Sequence, residues 1–465
     1  MNKIISMSAA ALANAIRTQQ VSSEEAVNAY LKRIRDVNPK LNAVVQLVAD
    51  SACEQAREAD EAVARGDIKG PFHGVPMTIK DTLDTAGVIS TGGTQGRANF
   101  VPTEDATAVA RMRSAGAILL GKTNVPEFAL APETDSVVYG RTNNPYDLSR
   151  SPGGSSGGEA SIIAAGGSPI GLGSDCGGSI RSPAHFCGLA GIKPTTGRVS
   201  RTGHFPPVDG LMNRLWQVGP IARFVEDLVL ALPIISGVDW HDPTLVPMTL
   251  GDPDIVDLKS LRVAFYTDNG ILTPTAETVE VVKKAVKVTS GVVMSVEEDC
   301  PENIEQTYDI WWGLASADSG AGVATLLKMV GTTEPHRYLK RFQDVLATTK
   351  DMTPSDFGNL ILKWDMFCEK MIQFMQNYDV IICPVVAFPA KTHGFILDEK
   401  NDLGFSYCFT YNLTGWPAAV VRCGTSPDGL PIGVQVVARP WREDVALAVA
   451  RHIETALGGW QPPPL

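Results

Sequence analysis

A chain of 465 residues with 44% apolar and 20% charged side chains has material for a large buried core, and its 43 glycines and 31 prolines stay below the share typical of disorder. Forty basic against 51 acidic residues leave a net charge of −11 with no dense Lys/Arg run, which argues against nucleic acid or an anionic membrane as partner. The eight cysteines lie far apart, with no C-x-x-C pair and no histidine at zinc spacing, so reduced thiols in a cytoplasmic protein with no metal and no cofactor are expected.

The first residues, MNKIISMSAAALANA, imitate a short signal peptide, but Leu12 and Ile16 recur at i, i+4 before Arg17, as in an ordinary amphipathic helix. Ser22 and Glu25 have the spacing of a capping box, and Val27, Tyr30, Leu31 and Ile34 then share one helical face, with Asn38-Pro39 expected to end the helix. A charged helix follows over 50–65 and a short buried strand over 76–81. Ala106–Ala115 reads as helix and Ala117–Leu120 as strand. No window of 18 predominantly apolar residues supports a membrane span. Residues 140–203 then hold 15 glycines in 64 positions, so the backbone there must turn sharply or approach something closely. Strand character returns at 261–266, a helix at 275–289, a Trp- and Met-rich helical region at 301–377, and strands at 380–384 and 433–437; the Pro- and Asp-rich 242–258 stretch reads as a surface crossing. Such alternation favours an α/β fold with covered sheet faces.

Three segments carry potential chemistry: Lys80 in MTIKD, Ser155-Ser156 in SPGGSSGGEA, and Ser179 in GSDCGGSIRSP. A serine hydroxyl is a weak nucleophile until a base takes its proton, and glycines ahead of it let successive backbone N–H groups aim at one developing oxyanion. Cys176-Gly177-Gly178-Ser179 has that form. The segment Gly153-Gly154-Ser155-Ser156-Gly157 also satisfies the G-x-S-x-G of α/β hydrolases, which would require a later acid and a histidine such as His393 or His452. Cys176 is a further candidate nucleophile, weakened by the lack of a nearby histidine.

GGSSGGE, GSDCGGSIRSPAHFCGLAGIKPT and the upstream PMTIKD resemble the amidase signature hydrolases, and the likeness runs almost end to end, through GKTNVPEFA, WQVGPIARFVEDLVLAL, YDVIICPVVAFPA and GLPIGVQVVARPWRED. The resemblance implies a Ser–cis-Ser–Lys triad with Ser179 as nucleophile, Ser155, after a cis peptide, as proton relay, and Lys80 as base. It further implies an oxyanion hole from the N–H groups of Cys176, Gly177, Gly178 and Ser179, with Ser156, Asp175 and Arg181 holding the loop. Cys176 departs from the branched or hydroxyl residue more usual at that place, although its N–H remains able to donate.

The implied fold is one large α/β domain over 1–465, a mostly mixed twisted sheet with helices on both faces, having its signature core at about 73–203 and a variable, substrate-shaping helical region at about 301–377. Activity on a neutral, fairly apolar amide, anilide or carbamate is expected, with esters as further substrates and a homodimer as the assembly to test. The alternatives are a glutaminase subunit of a tRNA-dependent amidotransferase, whose glutamine-binding stretch is not found at 301–330, an esterase using Ser155, and a silent binding protein, which would be expected to have lost Lys80, Ser155 or Ser179. For a lysine to serve as base near neutrality its amine must fall by roughly 2–3 units from about 10.4, which burial can supply. Asp81 must then point away from Lys80, as neighbours in a strand do. Of Trp311, Trp312, Met329, Phe342, Trp364, Met366, Phe367, Met371, Phe374 and Met375, most are expected in the core and a few on the pocket wall.

Overall fold

The computed structural model describes residues 3–207, 212, 214–348 and 352–465. Its strands are β1 (Val44–Leu47), β2 (Pro76–Lys80), β3 (Ile118–Thr123), β4 (Asp135–Ser136), β5 (Gly140–Arg141), β6 (Ile170–Asp175), β7 (Ala190–Lys193), β8 (Gln217–Ala222), β9 (Arg262–Phe265), β10 (Ser295–Glu298), β11 (Val380–Pro384), β12 (Ala418–Thr425) and β13 (Pro431–Ala438). Eleven of them form one sheet in the order β1-β3-β2-β6-β8-β7-β12-β13-β11-β9-β10, while β4 and β5 pair separately.

The sheet is mixed. β2 runs parallel to β3 and β6, and β9 to β10 and β11, whereas the centre from β6 to β11 is antiparallel. Every residue of β2, β3, β6, β8 and β13 is buried. Alternate residues of a strand face opposite sides, so this pattern requires cover on both faces. The helices Arg181–Phe186 and Glu443–Leu457 both pack on β12 and β13, and Gly157–Ala164 packs on β6.

Local signals account for many elements. Ser22 caps the Ser23–Leu41 helix in a complete capping box with Glu25, and Leu12 and Ile16 are buried on the Ala9–Arg17 helix. The expected stop at Pro39 does not hold, because that helix carries Pro39 inside it and runs to Leu41. Asn42 then caps it in the left-handed region, and Asn38 Oδ1 accepts from the N–H groups of Ala43 and Val44, so the chain turns without orphaned donors. The 242–258 stretch is irregular apart from a short 3-10 turn at Pro253–Ile255 and the start of another at Leu258–Ser260.

Among the described residues of 301–377 stand four α-helices, Thr307–Ala315, Ala321–Val330, Arg337–Thr348 and Pro354–Phe374. Trp364, Phe367, Met371 and Met375 enter the core, as expected, but Met329 and Met366 are exposed at 60% and 57%. Among the described residues no helix is long and apolar enough to cross a membrane, and all eight cysteines are free.

Candidate active site

β2 delivers Lys80 as its last residue, and β6 delivers Ser174 and Asp175 beside it in the same sheet. The Gly154-Ser155 peptide is cis, and the buried helix Gly157–Ala164 starts directly after Ser156. Lys80 Nζ lies 2.7 Å from Ser155 Oγ and 2.9 Å from Ser174 Oγ, with the Ser174 carbonyl at 3.4 Å. Ser156 binds the two serine segments together: its N–H donates to the Ser179 carbonyl at 3.3 Å, and its Oγ to the Ser174 carbonyl at 3.3 Å. The Ser156 bonds thus bring the segment of Ser179 next to the Lys80–Ser155 pair, and Ser179, half-buried, lines a pocket.

Burial lowers the Lys80 amine to about 7, against the opposing pull of Asp175 and Glu159. Asp81 faces elsewhere, its Oδ2 accepting from the Thr91 N–H at 3.0 Å and from the Thr91 hydroxyl. The carboxyl of Glu159 joins β2 to β3, taking the hydroxyls of Thr78 and, at 2.7 Å, Thr123; burial raises it to about 7.

Asp175 and Arg181 are wholly buried. Burial alone would raise the Asp175 carboxyl, but Arg181 and the hydrogen bond from Asn412 hold it well below the usual carboxylate range. Its oxygens also accept from the N–H groups of Gly178 at 2.8 Å and Ile180 at 3.1 Å. The Gly178 amide thus donates to Asp175, whereas the amides of Cys176, Gly177 and Ser179 have no protein acceptor among the described residues. Gly178 is there for its backbone, since its φ is +108° and a Cβ would lie 2.8 Å from the Cys408 side chain.

The rival nucleophile arrangements do not assemble. His393 meets Glu133 and the Leu148 carbonyl, His452 meets the Val288 carbonyl, and neither reaches Ser155. Burial and the charge of Asp175 push the Cys176 thiol far above its ordinary range, so it is no thiolate at neutral pH.

The pocket that Ser179 lines is walled largely by apolar side chains, many of them aromatic. Trp311, Trp312 and Phe342 come from the helical region, while Trp216, Phe405 and Phe409 come from segments outside the aromatic set singled out in the sequence. Its charged groups, Arg341 and Asp402, pair at 2.7 Å. Composition did not expose Ser174, His204 or Glu159, although each lies in or next to the glycine-rich stretch. His204 Nε2 is 2.9 Å from Ser174 Oγ and 3.2 Å from Trp216 Nε1. Among the described residues no group of three or more His, Cys, Asp or Glu is arranged to hold a metal ion.

Comparison with known proteins agrees with this architecture. The family model described as Amidase matches residues 25–447. The chain is 34% identical to fatty-acid amide hydrolase 2-B of Danio rerio, covering 99% of this chain and 91% of that one. It is 32% identical to one subunit of the glutamyl-tRNA(Gln) amidotransferase of Heliobacterium modesticaldum, covering 98% of each. The solved structure of 6-aminohexanoate cyclic dimer hydrolase with its substrate superposes with a TM-score of 0.88 at 28% identity, over 100% of this chain and 99% of that one.

Proposed function

This chain belongs to the amidase signature family, hydrolases that act on carbon–nitrogen bonds, and from that premise we propose that it cleaves a neutral, fairly apolar amide, anilide or carbamate through an acyl-enzyme on Ser179. The observation that carries this reading is the Lys80 Nζ to Ser155 Oγ contact of 2.7 Å, next to the segment of Ser179, which lines a largely apolar pocket.

In this mechanism Ser179 Oγ attacks the substrate carbonyl carbon while its proton passes to Ser155 and the Ser155 proton passes to the neutral amine of Lys80. The oxyanion lies against the free amides of Cys176, Gly177 and Ser179. Collapse expels the leaving nitrogen, which takes a proton back from Lys80 through Ser155, and water then releases the acid from the Ser179 ester by the same route. Asp175 and Arg181 hold the loop in the shape that aims those amides, and Ser156 fixes the spacing of the two serines.

The substrate class follows from the walls. Aromatic faces favour flat or apolar groups, and the single Arg341–Asp402 pair leaves the pocket without a net charge to attract an ionic one. The likeness to the amidotransferase protein favours a second reading, glutamine hydrolysis for a partner's transfer reaction, which the apolar lining opposes.

A fluorophosphonate probe is expected to label the wild type and not Ser179→Ala. Assays on aryl p-nitroanilides, aryl carbamates, short aliphatic amides and glutamine separate the substrate readings. Turnover confined to acetamide-like substrates, or to glutamine, would overturn the apolar assignment.

A further inference from the structure

We propose that His204, acting through the Ser174 hydroxyl and with its tautomer set by Trp216, is a positioning residue that aims the lone pair of the Lys80 amine at Ser155. The inference rests on the reading of Lys80 as the base and adds the device that orients it.

The proton positions follow from the partners. An indole N–H only donates, so His204 Nε2, 3.2 Å from Trp216 Nε1, must be the unprotonated nitrogen. The ring proton then resides on Nδ1, where the Pro206 carbonyl, an obligate acceptor, lies at 3.1 Å. Ser174 Oγ is 2.9 Å from the same Nε2, so its hydroxyl proton points to His204, sharing the single ring lone pair with the longer Trp216 bond, and its own lone pairs are left for Lys80 Nζ, also at 2.9 Å. A neutral amine has two hydrogens and one lone pair. Ser174 offers acceptors for both hydrogens, Oγ at 2.9 Å and its carbonyl at 3.4 Å, and the lone pair faces Ser155 Oγ at 2.7 Å. That is the orientation in which Lys80 takes the Ser155 proton.

Remove the acceptor at Nε2 and the Ser174 hydroxyl is free to rotate and donate to Nζ, competing with Ser155 for its single lone pair. The charged and titratable groups around the pair leave this arrangement in place. Asp175, Glu159 and Cys176 face Lys80, with Asp175 locked by Arg181; Lys80 and Arg201 face His204, with Arg201 paired to Asp242. Burial, and after it the charge of Lys80, keeps the imidazole neutral, down to about 3.

The test compares His204→Leu, His204→Gln and Lys80→Ala on one amide substrate across pH. In His204→Leu, kcat is expected to fall by about tenfold with KM little changed, the size of one misdirected hydrogen bond. The acid limb of its rate profile should move to lower pH, because a hydroxyl donating to Nζ favours the neutral amine; a merely structural defect lowers the plateau without moving the limb. Gln at 204 returns an acceptor near the place of Nε2 and is expected to restore most of kcat. A folded His204→Leu enzyme with wild-type kcat and limb, or a His204→Gln enzyme as impaired as His204→Leu, overturns the proposal. Should His204→Leu not fold, 15N NMR of histidine-labelled wild type decides: the resonances lost in His204→Gln must belong to a neutral Nδ1–H tautomer, and an Nε2–H or charged ring at neutral pH refutes it. Lys80→Ala separates the two levels: if it keeps wild-type turnover the base assignment itself fails, and if it is inactive while His204→Leu is unaffected only this inference does.

Discussion

Arg181 grips Asp175 with two parallel hydrogen bonds in complete burial, Nε to Oδ2 at 3.0 Å and Nη2 to Oδ1 at 2.9 Å. The same carboxylate anchors the amides of Gly178 and Ile180 on either side of Ser179, so the pair shapes the turn that presents the serine. A buried pair gives little net stability over an apolar substitute, but removing one partner strands the other charge, at a cost of about 3–5 kcal/mol. Arg181→Met is therefore expected to lower stability in urea unfolding by that order and to lose most turnover. A variant as stable and active as wild type would show that the turn holds its shape without the pair.

The pH profile tests the base. The Lys80 amine, brought down to about 7 by burial, is charged and inactive below that pH and neutral above it, so kcat/KM should climb through pH 7 to a plateau. The charge of Glu159 opposes that lowering. Glu159→Gln removes it, and the acid limb should move to lower pH, although the lost link between Thr78 and Thr123 also costs stability. A rate of the chemical step that stays flat from about pH 6 to pH 10 would exclude a lysine base in this range.

Sequence reveals what is encoded over short range. The Ser22–Glu25 capping box and the short strand read over 76–81 are each written in fewer than a dozen residues; the structure has the first complete and the second over Pro76–Lys80. What joins distant segments is not legible in this way. His204 reaches Ser174 only because β6 and the chain after Lys193 come together, and Phe409 faces Trp311 across almost a hundred residues. The Gly178 amide looks in sequence like its neighbours, and only the position of the Asp175 side chain sets it apart from them. Pro39 misleads for a local reason: Asn38 supplies the side-chain acceptor that lets the helix finish beyond it.

The capping box offers a control remote from the chemistry. Ser22 Oγ accepts from the Glu25 N–H at 2.9 Å, and Glu25 Oε2 accepts from the Ser22 N–H at 2.8 Å, on a helix that contributes nothing to the pocket wall. Ser22→Ala should cost about 1 kcal/mol. Thermal unfolding should show the loss while kcat and KM stay at wild-type values; a change in kcat would mean that this helix is coupled to the site.

Trp311 is expected to set how strongly the pocket selects aryl groups. Its ring stacks on Phe409 at 4.3 Å and 9°, and its Nε1–H donates to the Cys176 carbonyl at 3.3 Å, so one side chain both builds the wall and tethers the segment that carries the free amides. The two functions come apart in two variants. Trp311→Phe keeps an aromatic face and loses the tether, so both aryl and aliphatic substrates should lose turnover by a similar small factor. Trp311→Ala also removes the stacked face; an aromatic pair is worth about 0.5–1.5 kcal/mol, so kcat/KM for an aryl anilide should drop by a further several-fold relative to a short aliphatic amide. The ratio of the two kcat/KM values is the measurement. If Trp311→Ala leaves it unchanged, the Trp311–Phe409 face does not select the substrate, and any preference for apolar and aryl groups must be sought at other lining residues such as Phe342 and Phe405.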